Sequence, residues 1–164
     1  MTISGDSTVA KQANRTRRWV VLGTGAAIAG GFAIREYRLI PQDYAGSQIA
    51  AATAHEQAQQ GAVYLVDIRT PREWRATGIA QGAYPIDMRR EDFIQALDQL
   101  TGGDRTAPVA LICARGVRSA RLSNHLTTAG FTNIIDVPEG MLGSAAGPGW
   151  VRAGLPVNVY KEDT

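Results

Sequence analysis

The sequence predicts an α/β domain in which a central parallel sheet is flanked by helices. Two short, almost continuously apolar runs, Ala62 to Asp67 and Pro108 to Cys113, have the length and composition of strands covered on both faces. Segments with helical spacing separate and follow them, such as Phe93, Leu97 and Leu100 at i, i+4 and i+7. Strands that alternate with helices in this way pair parallel, because each helix carries the chain back to the start of the sheet.

The elements follow in order through a domain expected over about 45–160. Ser47 to Gln60, rich in Ala and Gln, predicts a helix that Gly61 terminates. After the first strand, Thr70-Pro71-Arg72-Glu73 forms a capping box with proline at the first helical position, so a short helix starts there. Gly78 and Gly82 break it, and Tyr84 to Ile86 predicts a small strand. Asp87, Arg89 and Arg90 are expected to cap and solvate the start of the next helix, which the Gly102-Gly103 pair stops. Beyond the Pro108 to Cys113 strand, Val117 to Ala129 predicts a helix closed by Gly130, and Thr132 to Val137 another strand. Trp74 and Trp150 read as core or pocket wall, and His55 and His125 as surface or boundary residues on helices.

Residues 1–18 are polar and basic, ending in Arg15-Thr16-Arg17-Arg18. Residues 19–38 read as an export signal or membrane-anchor helix, because Trp19 to Ile34 carry no charge. Those residues would span about 24 Å as a helix, short of a hydrocarbon core of about 30 Å, so the segment is marginal as a transmembrane helix. Thr16 to Val21, followed by a Gly/Ala-rich run, resembles a twin-arginine export signal. Ala27-Ile28-Ala29 and Gly31-Phe32-Ala33 offer small residues at a cleavage spacing. Cleaved or retained, the segment leads us to expect a periplasmic or inner-membrane-anchored domain outside the cytoplasm. The inner membrane or the export machinery is then a partner; the alternative is the N-terminal helix of a cytoplasmic protein.

A chain of 164 residues, 45% hydrophobic and 20% charged, suits about one packed domain and excludes a disordered or collagen-like protein. Residues 1–38 carry six Lys/Arg against two acids, and the rest eleven against thirteen. The basic excess belongs to the leader, so no nucleic-acid partner is expected. Cys113 is the one cysteine, which excludes an internal disulfide, a Cys-based zinc site and a CxxC pair. With no metal-ligand spacing, Gly-rich nucleotide loop or Ser/His/Asp arrangement, neither metal nor cofactor is expected.

The informative position is Cys113 itself, the last residue of an apolar strand, followed by Ala114, Arg115, Gly116, Val117 and Arg118 and then by Ser119. Ligands bind at the carboxyl ends of strands in open α/β sheets. A tight loop entering a helix N-terminus turns backbone N–H groups inward and favours anions. Two loop arginines add positive potential, and such surroundings favour negative charge on a sulfur held there. Cys113 is therefore a candidate nucleophile, and Gly116 suits a turn that needs positive φ. The alternative is a small buried hydrophobe that ends a strand.

From about Ser47 to Val159 the chain resembles the rhodanese-like family of sulfurtransferases. The resemblance is carried by Leu65 to Trp74, Gly82-Ala83 with Pro85-Ile86, the Cys113 to Ser119 loop, Ala129 to Ile134, and Ala153 to Val157. It implies the family's three-layer fold, with Cys113 as nucleophile and sulfur carrier and the Ala114 to Arg118 backbone as cradle for a persulfide. It also implies that Arg118 stabilises the charged intermediate and that Asp67 helps to fix that arginine; Arg69 pairs within the Asp67 turn. Glu73 is accounted for by its capping geometry. The Cys-x4-Arg spacing is the sulfur-sized loop, one residue shorter than that of the fold-related dual-specificity phosphatases. Two departures stand out: Gly78-Ile79-Ala80-Gln81 lacks a histidine common in the family. Glu139-Gly140 replaces a Gly-Gly pair and is followed by an enlarged loop, Leu142 to Gly149.

The expected function is transfer of a sulfane sulfur from a small anionic donor, such as thiosulfate, to a thiol or other thiophilic acceptor. The alternative is a non-catalytic persulfide carrier or anion-binding module serving a membrane-associated partner. A redox sensor is disfavoured, because the chain has no resolving cysteine.

Overall fold

The computed structural model describes residues 43–161, within the compact unit Pro41–Thr164. The basic region 1–18 and the export or anchor segment 19–38 lie outside the described residues. Among those described, no helix is long and apolar enough to cross a membrane.

The chain runs β1 (Ser47–Gln48), α1 (Ala51–Gln59), β2 (Tyr64–Asp67), α2 (Pro71–Thr77), β3 (Ile79–Ala80), β4 (Tyr84–Pro85), α3 (Phe93–Leu100), β5 (Val109–Ile112), α4 (Val117–Thr128), β6 (Ile134–Asp136), α5 (Gly149–Arg152) and β7 (Val157–Asn158). Five strands form one sheet in the order β1-β6-β5-β2-β4, and every pairing in it is parallel. This is the α/β architecture, a central parallel sheet flanked by helices, that the sequence leads us to expect. A small antiparallel pair, β3 with β7, lies apart from it.

The central strands β2 and β5 are apolar on both faces because both faces are covered. On one side Val66, Val109 and Leu111 pack with Phe93 and Leu97 of α3 and Leu122 and Leu126 of α4. On the other, Leu65, Ala110 and Ile112 meet Ala51 and Ala54 of α1 and Trp150 of α5. Each of these large side chains contributes about 1.5–3 kcal/mol by leaving water, which fixes the register of the two strands whose ends carry the site.

Several expected boundaries move. Ser47 and Gln48 are not the first turn of a helix; they pair with Ile135 and Asp136 as the edge strand β1, and α1 begins only at Ala51. Asp87, Arg89 and Arg90 precede α3 instead of capping it: Arg89 closes on Asp87 and Arg90 on Asp92 as exposed ion pairs. The capping box at Thr70 forms in full, with Glu73 N donating to Thr70 Oγ1 and Thr70 N to Glu73 Oε2.

Candidate active site

Strands β2 and β5 pair with Asp67 opposite Ile112, and Ile68 N donates to Ile112 O at 3.0 Å. The pairing sets the Ile68–Thr70 turn beside Cys113 at the carboxyl end of the sheet. The N-terminus of α2, with Glu73, therefore faces the N-terminus of α4, with Arg118.

The loop from Cys113 to Arg118 is held by its carbonyls. Cys113 O accepts from Met141 N at 2.8 Å, Ala114 O from Leu142 N at 2.9 Å, and Gly116 O from Ala120 N at 3.1 Å. Among the described residues, the amides of Ala114, Arg115, Gly116, Val117 and Arg118 meet no backbone acceptor. Carbonyls tied outward and amides left over are what an anion cradle requires.

Two glycines permit the shape. Gly116 has φ +80°, and a Cβ there would collide with the Pro138 carbonyl. Gly140 has φ +64°, and a Cβ would stand 2.7 Å from the Ala114 carbonyl and the Arg115 amide. Any side chain at either position pushes the loop away from the 138–142 segment.

Cys113 lies at the bottom of the loop, 1% exposed, on the sheet face that carries Leu111. Its Sγ lies 3.6 Å from Ser119 Oγ, and Ser119 Oγ donates to Gly116 O at 3.1 Å. Val117 is buried, while Arg115 is exposed with no ion pair or hydrogen bond among the described residues. Cys113 and Ala114 to Ser119 are thus brought together, with the Arg115 side chain turned to solvent.

Arg118 is held by a residue that the sequence reading accounted for by capping alone. Its Nη1 and Nη2 donate to Glu73 Oε2 and Oε1 at 2.9 and 2.5 Å. Burial pushes the Glu73 carboxyl up, but Arg118 and the Thr70 amide and hydroxyl outweigh it and hold Glu73 down at about 2. The Glu73 hydrogen bonds raise the Arg118 guanidinium against burial, and the charges of Cys113 and Asp67 act in the same direction. Asp67 makes its hydrogen bonds elsewhere: Arg69 Nε and Nη2 donate to its carboxylate at 2.7–3.1 Å, with both residues buried. The spacing of Glu73 from the box threonine carried its capping role; nothing in it signalled a partner 45 residues away.

Arg72, Glu73 and Arg89 line an open cleft of about 420 Å³ beside this pair, with Thr70 and Ala76. Glu139, the departure from the Gly-Gly pair, accepts from Ala51 N at 3.3 Å and Gly149 N at 2.9 Å. It caps α1, whose own N-cap residue Ala50 has no capping side chain, and ties down the end of the enlarged loop.

Comparison with known proteins agrees with this geometry. The thiosulfate sulfurtransferase GlpE of Actinobacillus pleuropneumoniae is 30% identical over 111 residues, spanning 68% of this chain and 92% of that protein. The polysulfide-sulfur transferase homodimer of Wolinella succinogenes superposes with TM-score 0.54 at 25% identity, covering 69% of this chain and 78% of that one. A structure from M. tuberculosis gives TM-score 0.54 at 28% identity over 72% of this chain and all of that one (100%). Residues 50–146 match the rhodanese-like domain. A lone cysteine that opens an amide-lined loop at the end of a central strand, on this sheet and with these relatives, has one reading: the chain belongs to the rhodanese-like family.

Proposed function

We propose that this domain is a sulfurtransferase that carries a sulfane sulfur as a persulfide on Cys113. The observation that supports the reading is the loop that follows Cys113, in which the carbonyls of Cys113, Ala114 and Gly116 are bonded while the amides of residues 114–118 meet no backbone acceptor among the described residues. The Cys113 thiolate attacks the outer sulfur of an anionic donor such as thiosulfate. An S–S bond forms to Cys113, the donor's own S–S bond breaks, and its electron pair leaves with sulfite. A thiol or other thiophilic acceptor then attacks the terminal sulfur, and the pair returns to Cys113. Loop amides and Arg118 stabilise the donor and the negative persulfide alike. The four residues between Cys113 and Arg118 suit a cradle for sulfur better than one for a tetrahedral phosphate.

Thiosulfate treatment is expected to add one sulfur to the peptide that contains Cys113, read by mass spectrometry, and an acceptor thiol to remove it. An unmodified peptide after both thiosulfate and polysulfide sinks the reading. An adduct that small acceptors discharge only slowly identifies a carrier that hands its sulfur to a dedicated partner.

Arg118→Ala is expected to lower kcat/KM for thiosulfate on the order of 100-fold, the cost of one charged donor at a developing anion. In the same variant the Glu73 carboxyl, freed of its guanidinium, should climb from about 2 toward the ordinary glutamate range, readable by NMR titration. Parent-like kinetics would reduce Arg118 to a structural partner of Glu73.

The uncharged run Trp19 to Ile34 behind Arg17 and Arg18 supports a location outside the cytoplasm, in the periplasm or on the inner membrane. A C-terminally tagged protein is expected in the periplasmic or membrane fraction, and recovery in the cytosol overturns this placement.

A further inference from the structure

The amide cradle and Arg118 account for the sulfur and for a small donor anion, and they leave unused the cleft that opens beside them. Its space of about 420 Å³ is lined by Thr70, Arg72, Glu73, Ala76 and Arg89, and small-molecule sites run to about 300–1,000 Å³. A thiosulfate ion fills only a small part of it. The wall mixes charge with carbon, since the Ala76 methyl and the aliphatic stems of the arginines stand among the polar groups. Glu73 belongs both to this wall and to the Arg118 pair, so the cleft adjoins the loop that Cys113 opens.

The charges of the wall do not cancel. Glu73 is engaged on both oxygens by Arg118 and also accepts from the Thr70 amide and hydroxyl, so it has little to offer a cationic ligand. Arg89 closes on Asp87 through Nε and Nη2, and its Nη1 meets no acceptor among the described residues. Arg72 is exposed and makes no hydrogen bond or ion pair among the described residues. With Glu73–Arg118 and Asp87–Arg89 taken as neutral pairs, Arg72 remains as a net positive charge, next to a free N–H edge on Arg89. Arg115, exposed and unpaired, adds a second cation on the loop. A carboxylate finds in such a wall the planar donors that suit it; an ammonium group finds repulsion.

We propose that this cleft holds the sulfur acceptor, and that the acceptor is a small thiol bearing carboxylates, which Arg72 and Arg89 grip while its sulfur reaches Cys113. The inference rests on the sulfurtransferase reading, for which it names the acceptor class. The acceptor reacts as a thiolate, its proton left to water. Its sulfur bonds to the terminal sulfur of the Cys113 persulfide, the S–S bond to Cys113 breaks, and the electron pair of that bond returns to Cys113 as thiolate. One sulfane sulfur moves, two negative charges stand on each side, and no oxidant or reductant is consumed. Because thiolate and persulfide are both anions, every carboxylate on the acceptor adds repulsion that the arginines must offset. An anionic acceptor therefore depends on Arg72 and Arg89, and a neutral one does so much less.

The test loads the full-length protein with sulfur from thiosulfate and follows its loss from Cys113 by mass spectrometry. Two acceptors are compared: mercaptosuccinate, a dicarboxylate, and 2-mercaptoethanol, which carries no charge beyond its thiol. In Arg72→Gln and in Arg89→Gln the rate with mercaptosuccinate relative to 2-mercaptoethanol is expected to fall about 2–5-fold, the effect of one exposed charge pair. Arg89→Gln should show the larger fall, because it also leaves the Asp87 carboxylate unpaired at the rim. Added salt should lower the same ratio in the parent. Arg152→Gln, which removes an exposed arginine outside the cleft, should keep the parent ratio. An unchanged ratio in both cleft variants, or an equal fall in Arg152→Gln, overturns the assignment. Succinate, which has the carboxylates without the sulfur, is expected to shift the Nε–Hε signals of Arg72 and Arg89 in an NMR titration, and unmoved signals overturn the site. A parent that takes up no sulfur while succinate still moves those signals overturns the sulfurtransferase reading and leaves a carboxylate site standing.

Discussion

Serine in place of Cys113 is expected to bring thiocyanate formation from thiosulfate and cyanide down to the rate of the solution reaction, a loss of at least about three orders of magnitude. A serine hydroxyl stays protonated at neutral pH and forms no persulfide, and no second thiol in the chain can take over. The fold should be unaffected, because the change exchanges one small buried atom for another next to a hydroxyl. Stability within about 1 kcal/mol of the parent, measured by denaturant unfolding, would show that only chemistry has been removed. A rate unchanged in the serine variant would leave the amide-lined loop as an anion site and remove the nucleophile from the mechanism.

The site is assembled from two halves that are distant in sequence and fixed by one strand pair. The loop after β5 supplies the sulfur and the amides; the turn after β2 supplies Glu73, which holds Arg118. Both depend on the register of β2 with β5, and that register depends on apolar side chains packed on both sheet faces. A third segment, Val137 to Leu142, sets the depth of the loop through Gly140 and the amides of Met141 and Leu142. Glu139 anchors that segment to the start of α1 and to Gly149.

The parts of this arrangement legible in the sequence are those written in local chemistry. The Thr70 to Glu73 box, the positive φ at Gly116 and the strand that runs into Cys113 each depend on neighbours a few residues away. Strands of two residues leave no period to read, and of these only β4 was marked, by the Tyr84 to Ile86 run after Gly82. Ser47 and Gln48 pass for helix because Ala and Gln follow them, and their pairing with β6 is decided almost 90 residues later. The β3 and β7 pair escapes notice for the same reason. Long-range polar partners are harder still. Asp67 and Arg69, two apart, fall together in one turn, whereas Glu73 with Arg118 requires the folded sheet. Glu139 was visible as a departure from a glycine, and only the position of Ala51 and Gly149 shows why a carboxylate is useful there.

The largest expected effect on stability lies at Asp67. Arg69 is 1% exposed, and besides its bonds to Asp67 its Nη1 donates to Thr77 Oγ1 at 2.6 Å and its Nη2 to Gly78 O at 2.7 Å. The guanidinium thus ties the end of β2 to the end of α2, and the helix between carries Glu73. Asp67→Ala leaves that cation buried without its counterion, a change that costs about 3–5 kcal/mol, so the midpoint of denaturant unfolding should fall sharply. Arg69→Met, which leaves the carboxylate stranded instead, should cost a similar amount. The double variant Asp67→Ala, Arg69→Met should lose less than the sum, since no unpaired charge remains inside, and the difference measures the coupling. Activity should fall in Asp67→Ala under conditions where the protein is still folded, because the tether that steadies α2 also steadies the carboxylate gripping Arg118. A stability loss below about 1 kcal/mol in both single variants would mean that water or local rearrangement satisfies the stranded partner, and that this pair does not hold the second half of the site in place.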